Sequence, residues 1–165
     1  MTIYGIGGVS GAGKTHFRTT CASLREARAL DIADVYEESL EHGHPELHWR
    51  TALERFEAKV REQLELDRHS DILLEAFFRP DGLQRQAIEE LAQEYGVPVR
   101  WGWASAPRAE CLSRVLNEPR GRDSSERKEK RLSFIRSAEP FFFRERPEES
   151  LERFDQQSEA AARCQ

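Results

Sequence analysis

A glycine-rich segment near the start of the chain constrains the fold more than any other feature. Residues 8–15 read Gly-Val-Ser-Gly-Ala-Gly-Lys-Thr and fit the pattern G-x-x-x-x-G-K-[ST]. The apolar run over residues 2–7 favours a buried strand, and residues 16–24 favour a helix. Strand, glycine loop and helix together form the unit in which this pattern binds phosphate.

The residue types of this loop suit a nucleoside triphosphate. Glycines let backbone N–H groups point at phosphate oxygens, and the next helix adds its positive N-terminal end. Lys14 is expected to reach the β- and γ-phosphates, and the Thr15 hydroxyl to bind Mg²⁺. The residues expected to contact the nucleotide are Gly8, Ser10, Gly11, Ala12, Gly13, Lys14, Thr15 and His16.

Length and composition predict one cytoplasmic domain over residues 1–165. The net charge of −5 gives no general attraction to nucleic acid or to an acidic membrane. The three cysteines are widely spaced, which favours free thiols in a reducing compartment. No apolar run approaches the length of about 18 residues that spans a membrane, and no signal peptide is recognised. The sequence does not indicate an oligomeric state.

Apolar runs alternate with helical patterns along the rest of the chain. Strands are predicted over residues 28–34, 71–78 and 97–104, and helices over 46–68, 83–95, 107–116 and 126–138. A short strand over 151–154 and a helix over 156–163 are also predicted. The alternation predicts an α/β fold of three layers (α/β/α), with a parallel sheet of four or five strands. Ligands bind such sheets at the carboxyl ends of the strands.

Other nucleotide-binding classes lack support in this sequence. A GTPase carries an Asn-Lys-x-Asp element, but the only asparagine here, Asn117, is followed by Glu118. Transporter and remodelling ATPases usually show a consecutive Asp-Glu pair after a strand, whereas the third strand carries Glu75 alone. The dinucleotide pattern G-x-G-x-x-G does not occur. Small kinases therefore remain.

Three stretches resemble the P-loop kinases that include polynucleotide 5′-kinase domains, zeta toxins and chloramphenicol-phosphotransferase-like proteins. They are the loop at 8–15, the segment Ile-Ala-Asp-Val-Tyr at 32–36, and the third strand with its end at 72–79. The arginine-bearing segment at 114–136 resembles the lid of that family. The resemblance spans roughly residues 1–145, and Glu75 stands where many members carry Asp.

The resemblance implies transfer of the γ-phosphate of ATP to a hydroxyl group. It implies Asp34 as the base that activates the acceptor, with Asp31 as second choice. It also implies phosphate contacts from Arg120 and, beside it, Arg114 and Arg122. Glu75 is expected to hold Mg²⁺ together with Thr15. Side chains placed to contact the acceptor are Asp31, Arg50, Glu75, Arg79 and Arg85.

The acceptor stays open at this point. A polynucleotide 5′-hydroxyl, a nucleoside or modified base, a sugar nucleotide and an antibiotic hydroxyl all fit. The net charge disfavours a long nucleic-acid footprint, while the basic cluster at 114–136 keeps nucleic acid among the partners. ATP is preferred only because the guanine element is missing, so relaxed nucleotide use also fits. The alternative is an ATP-binding or ATPase regulatory module without an acceptor.

Overall fold

Strands and helices alternate along the part of the chain that the structure describes. This computed structural model describes residues 1–21, 24, 26–35, 49–67, 69–76, 78–79, 82–118 and 125–151, without the side chains of 49, 50 and 126. The strands are β1 (Ile3–Gly7), β2 (Arg28–Asp31), β3 (Ile72–Glu75) and β4 (Val99–Trp103). The helices are α1 (Lys14–Thr20), α2 (Trp49–Leu66), α3 (Leu83–Tyr95), α4 (Arg108–Leu116) and α5 (Ser125–Ser137). Two 3₁₀ turns follow, at Pro140–Phe143 and Pro147–Glu149.

The strands form one parallel sheet in the order β2-β3-β1-β4. This arrangement confirms the predicted α/β fold. Beyond β4 the sheet continues as an isolated parallel bridge between Trp103 and Ser150. Residues 152–154 of the predicted last strand and the predicted helix at 156–163 lie outside the described residues.

Side chains of the two central strands alternate between two hydrophobic cores, one on each face of the sheet. The core under α1, α4 and α5 contains Tyr4, Ile6, Leu73, Cys111, Val115, Leu132 and Ile135. The core under α2 and α3 contains Ile3, Ile72, Leu74, Phe56, Val60, Leu64, Ile88 and Leu91. Glu75 follows Leu74 and therefore projects to the α1 face, where the glycine loop lies.

Several element boundaries match the sequence. Helix α3 has the predicted bounds, and Gly96 ends it in the left-handed conformation at φ 66°. The apolar stripe of α2 faces the core, with Phe56, Val60 and Leu64 fully buried. The aromatic run at 141–143 is expected to fill the core, and it does so in part: Phe142 is buried there, and Phe141 and Phe143 are partly buried against it. Periodicity is a strong signal where one face of a helix is buried.

Other boundaries were predicted too long. Strand β2 ends at Asp31 and not at Asp34, because residues 32–35 are helical. The Ala33 N–H donates to Oδ1 of Asp31 at 2.8 Å, which is a turn that competes with continued strand pairing. Strand β3 likewise ends at Glu75 and not at Phe78. Helix α1 ends at Thr20, since the next residue is already extended. Within the described residues, no helix has the length and apolar character needed to cross a membrane.

Candidate active site

The glycine loop between β1 and α1 packs directly against neighbouring backbone. Gly8 has φ 139°, and a Cβ added there would lie 2.5 Å from the Ala104 carbonyl oxygen. Gly11 has φ 78°, and a Cβ there would lie 2.5 Å from the Cys111 carbonyl oxygen. Both positions therefore require glycine for conformation and for space. The loop is held against the end of β4 and against α4.

The lysine of the loop is folded back over it. The Nζ atom of Lys14 donates to the carbonyl oxygens of Gly8 at 2.8 Å and Val9 at 3.1 Å. Burial lowers the pKa of Lys14, whereas the nearby carboxylates of Asp31 and Glu75 raise it. The positive charge of Arg131 on α5 adds to the lowering of this pKa. The ammonium group therefore sits among charges from three different elements.

A buried carboxylate lies beside this lysine at the end of β3. Glu75 is only 1% exposed. Arg18 of α1 donates to its Oε1 atom at 2.8 Å, and the Thr15 hydroxyl donates to its Oε2 atom at 3.4 Å. Burial raises the pKa of Glu75, Arg18 opposes that rise, and the neighbouring Asp31 carboxylate adds to it. The carboxylate is desolvated but has polar partners on both oxygens.

The two candidate bases occupy different positions at the same edge. Asp31 is the last residue of β2, is half-buried, and is the register partner of Glu75 on β3. Asp34 is exposed within the helical residues 32–35. The structure therefore brings Asp31 together with Lys14 and Glu75, whereas Asp34 is an exposed residue of the helical segment that follows β2.

The predicted lid is described only in part. Arg114 of α4 donates to the Gly11 carbonyl oxygen at 2.9 Å and pairs with Glu110. Arg120 and Arg122 lie outside the described residues. Sequence reasoning did not single out Arg131, which pairs through both terminal nitrogens with Glu118 at 2.7 and 2.8 Å. The sequence indicated Arg131 only through its place in the 114–136 segment, which contains several other arginines.

The arginines predicted to hold the acceptor have separate surroundings. Arg79 is exposed, and its guanidinium lies 5.7 Å from the ring centre of Phe141 and 5.6 Å from that of Phe142. Arg85 pairs with Glu149 at 2.5 Å and lies 4.7 Å from the ring centre of Trp101.

Arg85 thus joins α3 to the segment after α5, while Arg79 lies against the aromatic residues of the first 3₁₀ turn. The side chain of Arg50 lies outside the described part of the chain. His16 is exposed on α1, Ser10 is half-buried, and Ala12 is buried within the loop.

The oxygen atoms at this edge fit a hard divalent cation. Thr15 supplies a hydroxyl and Glu75 a carboxylate oxygen 3.4 Å from it. The carboxylate of Asp31 adjoins them through the β2–β3 register. Mg²⁺ is usually bound by one or two carboxylates together with substrate phosphates and water. Thr15 and Glu75 are therefore a suitable donor pair for Mg²⁺.

Solved structures of other proteins share this architecture. A Chloroflexus aurantiacus protein described as a "putative kinase" is 19% identical with a TM-score of 0.56, over 82% of this chain and 78% of that one. A sugar kinase from Janibacter sp. is 15% identical with a TM-score of 0.54, over 98% and 92%. No protein-family model matches the chain, and no curated protein matches it. At these identities the likeness establishes the fold.

Proposed function

We propose that this chain is an ATP-dependent kinase that transfers the γ-phosphate of ATP to a hydroxyl acceptor. The observation that carries the proposal is the meeting of Lys14, Thr15, Glu75 and Asp31 at one edge of the sheet, beside the glycine loop. Phosphoryl transfer needs positioning and charge neutralisation more than covalent chemistry by the protein. The fold likeness to two proteins named as kinases supports the same assignment.

The loop and Lys14 bind the triphosphate in this proposal. The loop N–H groups contact phosphate oxygens, and Lys14 exchanges its bonds to the Gly8 and Val9 carbonyls for bonds to phosphate. Thr15 and Glu75 hold Mg²⁺, which when bound neutralises the charge that develops on the phosphate oxygens. Arg114, together with Arg120 and Arg122, is proposed to approach the same phosphates.

The acceptor hydroxyl needs a base at the same edge. We favour Asp31 for this role, because it adjoins Glu75 and interacts electrostatically with Lys14. Asp34, preferred on sequence resemblance, is the alternative. One Asp31 oxygen accepts the Ala33 N–H, which fixes the orientation of the carboxylate. Catalytic bases work best when a hydrogen bond holds them in position.

Arg79 is proposed to bind the acceptor. Arg79 is an exposed residue just beyond β3, and its guanidinium lies near the rings of Phe141 and Phe142. A planar cation next to aromatic rings suits an acceptor that carries a phosphate or a flat ring. Nucleosides, nucleotides and polynucleotide ends belong to that class, and sugar-type acceptors do not need the rings.

Transfer of labelled phosphate tests the proposal. The protein is incubated with γ-labelled ATP, Mg²⁺ and separate acceptors: DNA and RNA oligomers with 5′-hydroxyls, nucleosides, sugar nucleotides, and aminoglycoside or phenicol antibiotics. Lys14→Ala serves as the blank, and Lys59→Ala on α2 is a matched control on the opposite face of the sheet. Label in one acceptor class supports the kinase. ATP binding without any labelled acceptor favours the regulatory ATPase module.

A further inference from the structure

Arg18 has no part in the roles given so far, yet it makes the shortest described contact to the buried carboxylate of the site. Its NH1 atom lies 2.8 Å from Oε1 of Glu75, and its side chain is one-third exposed while that of Glu75 is 2% exposed. We propose that Arg18 is a positioning residue that holds Oε1 of Glu75, so that Oε2 faces Thr15 and the divalent cation. This inference rests on the proposed function.

The placement of Arg18 on α1 allows this role. Thr15 and Arg18 are three positions apart, so their side chains lie on the same face of the helix. Each contacts a different oxygen of the same carboxylate: Thr15 reaches Oε2 and Arg18 reaches Oε1. The helix that follows the loop therefore fixes both the hydroxyl and the orientation of the carboxylate beside it.

A glutamate at this position needs such a contact more than an aspartate would. Its side chain has one more rotatable bond, and ordering that bond costs conformational entropy. Lys14 does not supply the restraint, because its described hydrogen bonds go to Gly8 and Val9. The guanidinium of Arg18 is always charged and has fixed geometry, so it restrains the glutamate without a change of protonation.

The test measures ATP affinity by calorimetry with and without Mg²⁺. In Arg18→Met, we expect the gain in ATP affinity from Mg²⁺ to fall about tenfold or more, the usual effect of losing a partner that orients a metal ligand. ATP affinity without Mg²⁺ should stay close to the wild-type value. Arg28→Met is the matched control, since it removes an arginine ion pair with Asp67 at the sheet edge. The control should keep the full effect of Mg²⁺.

Two further variants separate positioning from a purely structural role. Arg18→Lys keeps the charge but not the planar group, so it should restore only part of the Mg²⁺ effect. If Arg18 acts through Glu75, Arg18→Met combined with Glu75→Gln should lose no more of that effect than Glu75→Gln alone. The double variant also leaves no unpaired buried carboxylate, so it stays informative if Arg18→Met folds poorly.

The outcomes distinguish this inference from the proposed function. Independent, additive losses in the double variant would overturn the positioning role. An unchanged Mg²⁺ effect in Arg18→Met would also overturn it, while leaving the kinase proposal intact. A wild-type protein whose ATP binding does not depend on Mg²⁺ would contradict the proposed function itself.

Discussion

Asp31 and Glu75 are register partners at the carboxyl ends of the adjacent strands β2 and β3. The first is half-buried, whereas the second is 1% exposed and held by Arg18. Two carboxylates in different environments can take different roles at one site. The buried one suits a fixed cation, and the more accessible one suits proton transfer from an acceptor.

The first prediction concerns the base. Asp31→Asn should lower kcat by about 10²–10⁴-fold, the range for loss of a general base, and leave ATP affinity nearly unchanged. Asp34→Asn is the matched control, with the same chemical change three residues along the chain. Steady-state transfer and calorimetry on both variants measure the difference. A larger loss of kcat in Asp34→Asn would assign the base to Asp34 instead.

The second prediction concerns the loop. Gly11→Ala adds a Cβ 2.5 Å from the Cys111 carbonyl oxygen at φ 78°, so it should cost about 1–3 kcal/mol of stability and weaken ATP binding. Gly96→Ala is the control, because φ there is 66° but no described atom lies within 4 Å of the added Cβ.

Denaturant unfolding and ATP titration distinguish the two glycines. The Gly96 variant should lose about 1–2 kcal/mol from the left-handed conformation alone and keep full ATP affinity. Equal effects of both substitutions on ATP binding would mean that the contact between the loop and α4 does not shape the site.

Local patterns predicted the elements but not their partners. The loop motif identified β1, α1 and Lys14, because consecutive residues carry the whole signal. The Arg18–Glu75 pair joins residues from separate elements, and nothing near Arg18 in the sequence distinguishes it from other surface arginines. The sequence likewise gave no indication of the partners of Arg85, which was expected to contact the acceptor. Its described partners include Glu149 and Trp101. Such pairs can be identified only when the packing of the elements is known.

The ends of β2 and β3 could also not be predicted from the sequence. Apolar residues continue past Asp31 and past Glu75, so a prediction from hydrophobicity alone makes both strands too long. The chain turns at Asp31 because its carboxylate accepts the Ala33 N–H. Hydrogen bonds between a side chain and the nearby backbone depend on the local backbone conformation, which cannot be read from composition. For that reason Asp34 lies in the helical residues 32–35 and does not end the strand.

The third prediction concerns Arg131. Burial is the main cause of the lowered pKa of Lys14, and the positive charge of Arg131 lowers that pKa further. Arg131→Met should raise KM for ATP about tenfold, because it removes a positive charge that acts on the site of Lys14 and should attract the phosphates. Arg136→Met is the control on the same helix, where the arginine pairs with Glu129 at 3.0 Å. Steady-state kinetics with varied ATP measure both. Equal KM values in the two variants would place Arg131 outside the nucleotide site.

The fourth prediction concerns stability and pH after α2. The pKa of Asp67 is lowered from 3.8 to about 2. The largest cause is the hydrogen bond from the Ser70 hydroxyl, and the next is the hydrogen bond from the His69 N–H. Because the folded-state pKa is depressed, the stabilisation is present above the unfolded value near 3.8 and is lost as the pH falls towards 2. Asp67→Asn should therefore lower Tm at neutral pH, and the difference should shrink in acid. A difference in Tm independent of pH would contradict the ionised contact.

The most direct test of the central claim is the stoichiometry of the transfer. The protein, γ-labelled ATP and Mg²⁺ are combined with the best acceptor of the panel, and ADP, free phosphate and labelled acceptor are counted in the same samples. The account predicts one labelled acceptor for each ADP, little free phosphate, and loss of both products in Lys14→Ala. ADP matched by free phosphate, with no labelled acceptor, would contradict the kinase and identify an ATPase.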